Sequence, residues 1–493
     1  MLTRLKISGF KNLVDADIHF GTFTCIAGAN GVGKSNLFDA IRFLGALADD
    51  TLINAAAIVR NEGRGNADVR SLFHRVGEKC AKEISFEAEM IIPAQGTDDL
   101  GQRAEAAATF VRYAVTLACR TGKRSSSLGP LELIRERLEP ICSEEASEHL
   151  KFPHDADAWR RAVLKGRRTS PLISTEHHDG NRVIISGRDR GRGSSGPVLA
   201  ANLPRTLVSA ANTTENPDVL MARREMQSWR LFRLEPASLR EPDHLMTRPY
   251  LGHDGSHLAA TLHDMACSQE TGDAGPLVCD QMAARLCELT GDVRDVRVDR
   301  DEARDLLTLQ VTGRDGTVHP ARSLSDGMLR FAALALLELS PTRSGLICME
   351  EPENGIHPER IPAMIRLLED IAADPDLPEG PDNPMRQVIV STHSPAVVSQ
   401  VSDESLLIAE SEEMVRDGRR FRRVCFNWLP DTWRASAFPH QSPVARGRLL
   451  AYLNPVMPAE EHRMSESGKS RRVADRDDLQ MKDEGMKDES NEG

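Results

Sequence analysis

Residues 28–36 read GANGVGKSN, from Gly28 to Asn36. The spacing G-x-x-x-x-G-K-[ST] belongs to a loop whose backbone N–H groups turn inward around phosphate oxygens at a helix N-terminus. It carries that meaning only between a strand and a helix. Upstream, "ADIHFGTFTCIAGAN" (16–30) ends in a β run. Downstream, "KSNLFDAIRFLGALA" (34–48) repeats Leu37, Ile41, Leu44 and Leu47 at helical spacing. With both flanks in place, Gly28, Asn30, Gly31, Gly33, Lys34, Ser35 and Asn36 are candidate phosphate-binding residues. Lys34 is placed to reach the β and γ phosphates of ATP, and Ser35 to ligate Mg²⁺.

Three later stretches supply what phosphoryl transfer needs besides a cradle. "LICMEEPENG" (346–355) is an apolar strand ending in adjacent acids. Glu350 suits a metal ligand acting through water, and Glu351 a group that polarises the attacking water. "SLSDGMLRF" (323–331) opens a helix. Ser323 or Ser325 can cap it, and Ser325 with the amides near Gly327 can present its N-terminus to a γ-phosphate. "VIVSTHSP" (388–395) carries His393 just past a buried strand, within reach of a γ-phosphate or of the water, with Ser391 and Thr392 beside it.

The remainder excludes several classes. Aromatic residues make up 4% of the chain and the net charge is −12, which argues against an aromatic stacking platform and a uniformly basic DNA-coating surface. The nine cysteines are scattered singly without zinc-ligand spacing, as expected of a cytoplasmic protein with no structural metal. No signal peptide and no uninterrupted apolar span are found, so no membrane association is expected. Between residues 51 and 319 the pattern is mixed. "EISFEAEMII", "ATFVRYAVTLACR", "LELIRERLEPI" and "RVIISGRD" read as antiparallel strands, whereas "PDVLMARREMQSWRLFRL" and "HLAATLHDMA" read as helices. Residues 458–493 are charged, include the near-repeat "MKDEGMKDES", and are expected to be a disordered tail.

Phosphate loop, long insertion, "LSDGM", "EEPENGIHP" and "STHSP", in that order, resemble the ABC-type ATPases of the SMC, RecF and OLD group, and most of all its AAA-family ATPases with a split head. The opening "LKISGFKNL" resembles that group's first strand, which implies Phe10 and Lys11 near the nucleotide. "LFRLEPASLREP" and "YLGHDGSHLAATL" resemble its middle segment more loosely. The resemblance implies an α/β fold, a P-loop NTPase head with a mixed central sheet, divided into an N-terminal lobe (1–50) and a C-terminal lobe (320–457). Between them, an α+β insertion (51–319) would complete the head and form a lid or partner-binding subdomain. It implies a homodimer with ATP sandwiched between heads, Ser325 and Gly327 of one copy completing the site of Lys34, Ser35, Glu350 and Glu351 of the other, with His393 as switch histidine.

The chain departs from the group's wider pattern at Leu-Ser-Asp-Gly-Met (324–328), where transporters have Leu-Ser-Gly-Gly-Gln, and at Glu350, where an Asp is usual. No metal-contacting glutamine is identified after the first helix, and no Toprim nuclease domain follows His393. Nuclease activity would therefore come from a partner. Two functions fit: an Mg²⁺-dependent ATPase in DNA repair or anti-phage defence, or an ATP-gated protein–protein switch that holds a toxin or nuclease without binding DNA. "VLKGRRTS", "NRVIISGRDRGRGSSG" and "RDGRRFRRV" offer arginines to DNA phosphates, or are solvated hairpin tips.

Overall fold

A computed structural model describes residues 1–59, 68–120, 129–166, 170–186, 197–269, 275–340, 345–416, 418–441 and 443–444. The expected tail at 458–493 and much of two arginine-rich stretches lie outside the described residues.

The segments "FTCIA", "GLICME" and "RQVIVST" are nearly continuous apolar runs, as strands covered on both faces must be. They form the centre of a six-stranded sheet. Its order is Arg230–Phe232, Gly345–Glu350, Arg386–Thr392, Phe23–Ala27, Leu406–Arg416 and Arg419–Asn427. The first five run parallel, and the last pairs antiparallel with its neighbour. Alternate residues serve opposite faces. Ile26, Leu346, Cys348 and Ile389 join one apolar core with the loop helix Lys34–Leu47, while Phe23, Cys25, Ile347, Met349, Val388 and Val390 join a second with the helix Asp326–Leu339. The helix residues Leu37, Ile41, Leu44 and Leu47 are all buried in the first core, as their spacing requires.

A second sheet has eight antiparallel strands, running from Val198–Leu199 through Asn181–Ser186, Ile173–His178, Leu131–Pro140, Phe110–Cys119 and Glu83–Ile91 to Leu2–Ser8 and Ala16–His19. The strand expectations for the insertion hold here. Leu2–Ser8 lies between Ala16–His19 and Glu83–Ile91, so the insertion prolongs a sheet that the N-terminus begins. A smaller sheet, in which Leu306–Gly313 pairs with Asp243–His244, Val293–Asp301 and Val318–Pro320, shares the second core with the helices Leu258–Gln269 and Gly275–Thr290. One expectation needs correcting. "PDVLMARREMQSWRLFRL" is helical only over Pro217–Gln227; Arg230–Phe232 is a strand, because parallel pairing with Ile347–Met349 outweighs local helix propensity there.

Candidate functional site

All five parallel strands end at one edge, and the candidate residues collect there, as ligand sites do in open α/β sheets. The phosphate loop follows Phe23–Ala27, and the Gly28 N–H donates to the Thr392 carbonyl at 3.2 Å, tying the loop to the next strand. Gly33 caps the loop helix with φ +116°, and a Cβ there would stand 2.3 Å from Asn12 Nδ2. Asn12 fills that space, donating to the Val32 carbonyl at 3.0 Å and accepting from Asn36 Nδ2 at 2.7 Å. The Asn36 side chain therefore braces the loop. Lys34 is buried, and its ammonium donates to the carbonyls of Gly28 and Ala29. Burial lowers its pKa, outweighing the opposite pull of Glu351, Glu353 and Glu350.

Lys34, Ser35, Asn30, Gly31, Glu350 and Glu351 line one cavity of about 530 Å³. Glu350 Oε2 accepts from Arg233 Nε at 2.9 Å, while Oε1 is buried without a hydrogen-bond partner among the described residues. Glu351 turns the chain at φ +49°, a region that costs a residue with a side chain energy and that clusters at functional sites. Its N–H donates to the Ser391 carbonyl at 2.8 Å, and its carboxylate accepts from His393 Nδ1 at 2.7 Å and Asn354 Nδ2 at 3.0 Å. Burial pushes the Glu351 carboxyl upward, but those two hydrogen bonds and the Lys34 charge hold it below its ordinary value. It is thus a carboxylate at neutral pH. His393 is thus brought beside Glu351.

The Ser325 hydroxyl caps the helix Asp326–Leu339, accepting from the Met328 N–H at 3.3 Å. Ser325 and Asp326 are exposed, and neither Ser325 nor Gly327 lines the cavity of their own chain. Gly327 has a different local task. A Cβ on it would come 2.6 Å from the Gly355 carbonyl oxygen, so only glycine lets this helix start press against the turn that follows Glu351.

Residues 23–128 and 285–399 match the family model described as "AAA domain, putative AbiEii toxin, Type IV TA system". Over 129 residues the chain is 32% identical to the DNA replication and repair protein RecF of Magnetococcus marinus, covering 26% of this chain and 28% of that protein. Over these stretches the chain is similar to AAA-domain and RecF proteins. It is also 29% identical over 96 residues to the RecF of Clavibacter sepedonicus, 19% of this chain and 23% of that protein. It thus spans about a quarter of the length of the curated relatives it matches. Among solved structures, an SMC head bound to the C-winged helix domain of ScpA is 15% identical with a TM-score of 0.43, covering 87% of this chain and 98% of that one. The SMC head domain from Thermotoga maritima is 12% identical with a TM-score of 0.37, again over 87% and 98%.

The residues present fit a magnesium ion. Mg²⁺ takes hard oxygen ligands and keeps several waters. Ser35 and Glu350 line the cavity and carry such donors, and Glu350 Oε1 has no hydrogen-bond partner among the described residues. Among the described residues no group of three or more His, Cys, Asp or Glu could hold a metal, so nucleotide phosphates and water would complete the shell. No described helix is long and apolar enough to cross a membrane.

Several residues escape the sequence reading. Arg233 and Arg330 line the cavity; Arg330, on the second turn of the Ser325-capped helix, donates to the Asn354 carbonyl, and Asn354 in turn holds Glu351. Glu353 is buried, accepts from the Thr392 hydroxyl, and has its carboxyl raised by burial. The loose match "LFRLEP" was the available signal for Arg233; strand pairing beside Glu350 gives it meaning. Phe10 is packed between Phe43 and Phe86 in the core, and Lys11 pairs with Asp39 on the loop helix. Neither lines the cavity.

Proposed function

We propose that this chain binds ATP with Mg²⁺ in the cavity at the strand ends and hydrolyses it when two copies close on each other. The observation that carries this reading is the convergence of Lys34, Ser35, Glu350 and Glu351 on one cavity, with His393 bonded to Glu351. Lys34 would turn from the loop carbonyls to the phosphates, Glu350 and Ser35 would hold the ion, and Glu351 would orient the attacking water. Bound Mg²⁺ would neutralise charge on the phosphate oxygens. The exposed Ser325 and the helix start at Gly327 would complete the partner copy's site, so hydrolysis would time opening and closing. In this reading 1–50 and 320–457 form the two lobes, and 51–319 completes the head and supplies a lid or partner-binding surface.

The test is Glu351→Gln. ATP binding should persist, turnover should fall on the order of a hundredfold or more, and a dimer should accumulate with ATP in size-exclusion chromatography with light scattering. Unchanged turnover would show that the water-polarising acid lies elsewhere.

We place the activity in DNA repair or anti-phage defence, with a separate effector such as a nuclease or toxin. The RecF relatives named above support a DNA role. An ATP-gated switch that holds an effector without gripping DNA is the second reading. It is favoured by the hairpin "RDGRRFRRV", whose Arg420 and Arg423 are matched across the strands by Glu413 and Glu412. DNA affinity measured against salt, with and without ATP, separates the two. A steep negative slope supports DNA binding, and no binding at low salt removes it.

A further inference from the structure

Glu350 reaches the cavity on an arm one methylene longer than aspartate, with one more torsion to fix before its carboxylate can serve a metal. The structure fixes it from one side. Arg233 Nε donates to Oε2 at 2.9 Å, and Oε1, buried and without a hydrogen-bond partner among the described residues, is left to face other chemistry. Arg233 is itself held. It follows the strand Arg230–Phe232, which pairs in parallel with Ile347–Met349, and its N–H donates to the His253 carbonyl at 2.8 Å. Among the described residues no glutamine lines this cavity.

Resting on the reading of an Mg²⁺–ATP site, we infer that Arg233 is a positioning residue for the metal: it clamps Oε2 of Glu350 so that Oε1 is the oxygen offered to the ion. Partners of this kind orient a ligand and raise metal affinity by roughly ten- to a hundredfold. The clamp also confers selectivity. Mg²⁺ demands near-octahedral geometry, whereas Ca²⁺ accepts looser and more numerous oxygens, so a carboxylate held in one orientation favours the smaller ion.

The experiment uses the full chain and a fluorescent ATP analogue, titrated in EDTA and then across Mg²⁺ and Ca²⁺. In Arg233→Ala, affinity in EDTA should stay near that of the unaltered protein. The Mg²⁺ concentration for half-maximal effect should rise on the order of tenfold, the Ca²⁺ curve should move less, and Arg233→Lys should recover part of the loss. An Mg²⁺ midpoint that stays put or falls overturns the inference. A parallel loss of affinity in EDTA also overturns it, because Arg233 would then contact the phosphates directly. Failure of the unaltered chain to bind the analogue overturns the ATP reading and this inference with it. Binding by the unaltered chain, with a midpoint that Arg233→Ala leaves in place, overturns the inference alone.

Discussion

The two large sheets treat charge in opposite ways. On the antiparallel sheet, the fully buried Glu89 accepts from Arg4 at 3.1 Å and Arg112 at 2.9 Å and lies 3.0 Å from His149 Nδ1. Burial would raise its carboxyl, but the bonds to His149 and Arg112 and the Arg4 charge bring it down to about 2. Oε1 is answered by arginines of the neighbouring strands and Oε2 by His149 on the helix Ala146–His149. At the end of the parallel sheet, one oxygen each of Glu350 and Glu353 is buried without a partner among the described residues, and Glu351 sits at φ +49°. Native structures rarely leave buried polar atoms unmatched, so a satisfied cluster reads as architecture and an unsatisfied, strained one as a place built for something else.

That contrast can be broken from either side. The largest effect is expected from Glu89→Ala, which strips the acid from its cationic neighbours and should lower stability by roughly 3–5 kcal/mol. Chemical denaturation would show it, with ATP affinity of the remaining folded protein unchanged. Acid should act likewise: the stabilisation from Glu89 is present above its ordinary range near pH 4.5 and is lost as the pH falls toward 2. Lys34→Ala should do the reverse, weakening ATP binding by about a hundredfold in calorimetry while leaving the thermal midpoint nearly unmoved. A smaller effect comes from His19, which burial holds down at about 4 against the pull of Asp17, beside the Phe438 ring at 4.5 Å. Its unfolded form gains a proton from about pH 6.5 downward and the folded form does not until about 4, so stability should fall across that window by about 2 kcal/mol. In His19→Asn the thermal midpoint should change less between those pH values.

How much was legible follows the same division. "GANGVGKSN" and "LICMEEPENG" declare themselves because strand, turn and charged end are contiguous, and Ser325 reads as a helix cap because capping is local. Asn12, Arg233 and Arg330 were not visible as a set. Each gains its role from pairing or packing across a long sequence separation, as when Phe232 comes beside Met349 or Arg330 reaches back over Asn354. The departure of "RLF" (230–232) from the expected helix has that cause too, since three residues carry no period of their own and take their conformation from a strand more than a hundred positions away.

One pairing has a consequence for how the protein is made. Phe23–Ala27, which launches the phosphate loop, pairs in its sheet with Arg386–Thr392 and Leu406–Arg416. The first wall of the cavity to leave the ribosome is therefore finished only when the last strands arrive. A nascent or truncated chain short of residue 386 carries the whole GKS motif and no cradle to use it with. Because a ligand stabilises only the state that binds it, ATP would protect completed copies and leave unfinished ones to proteolysis.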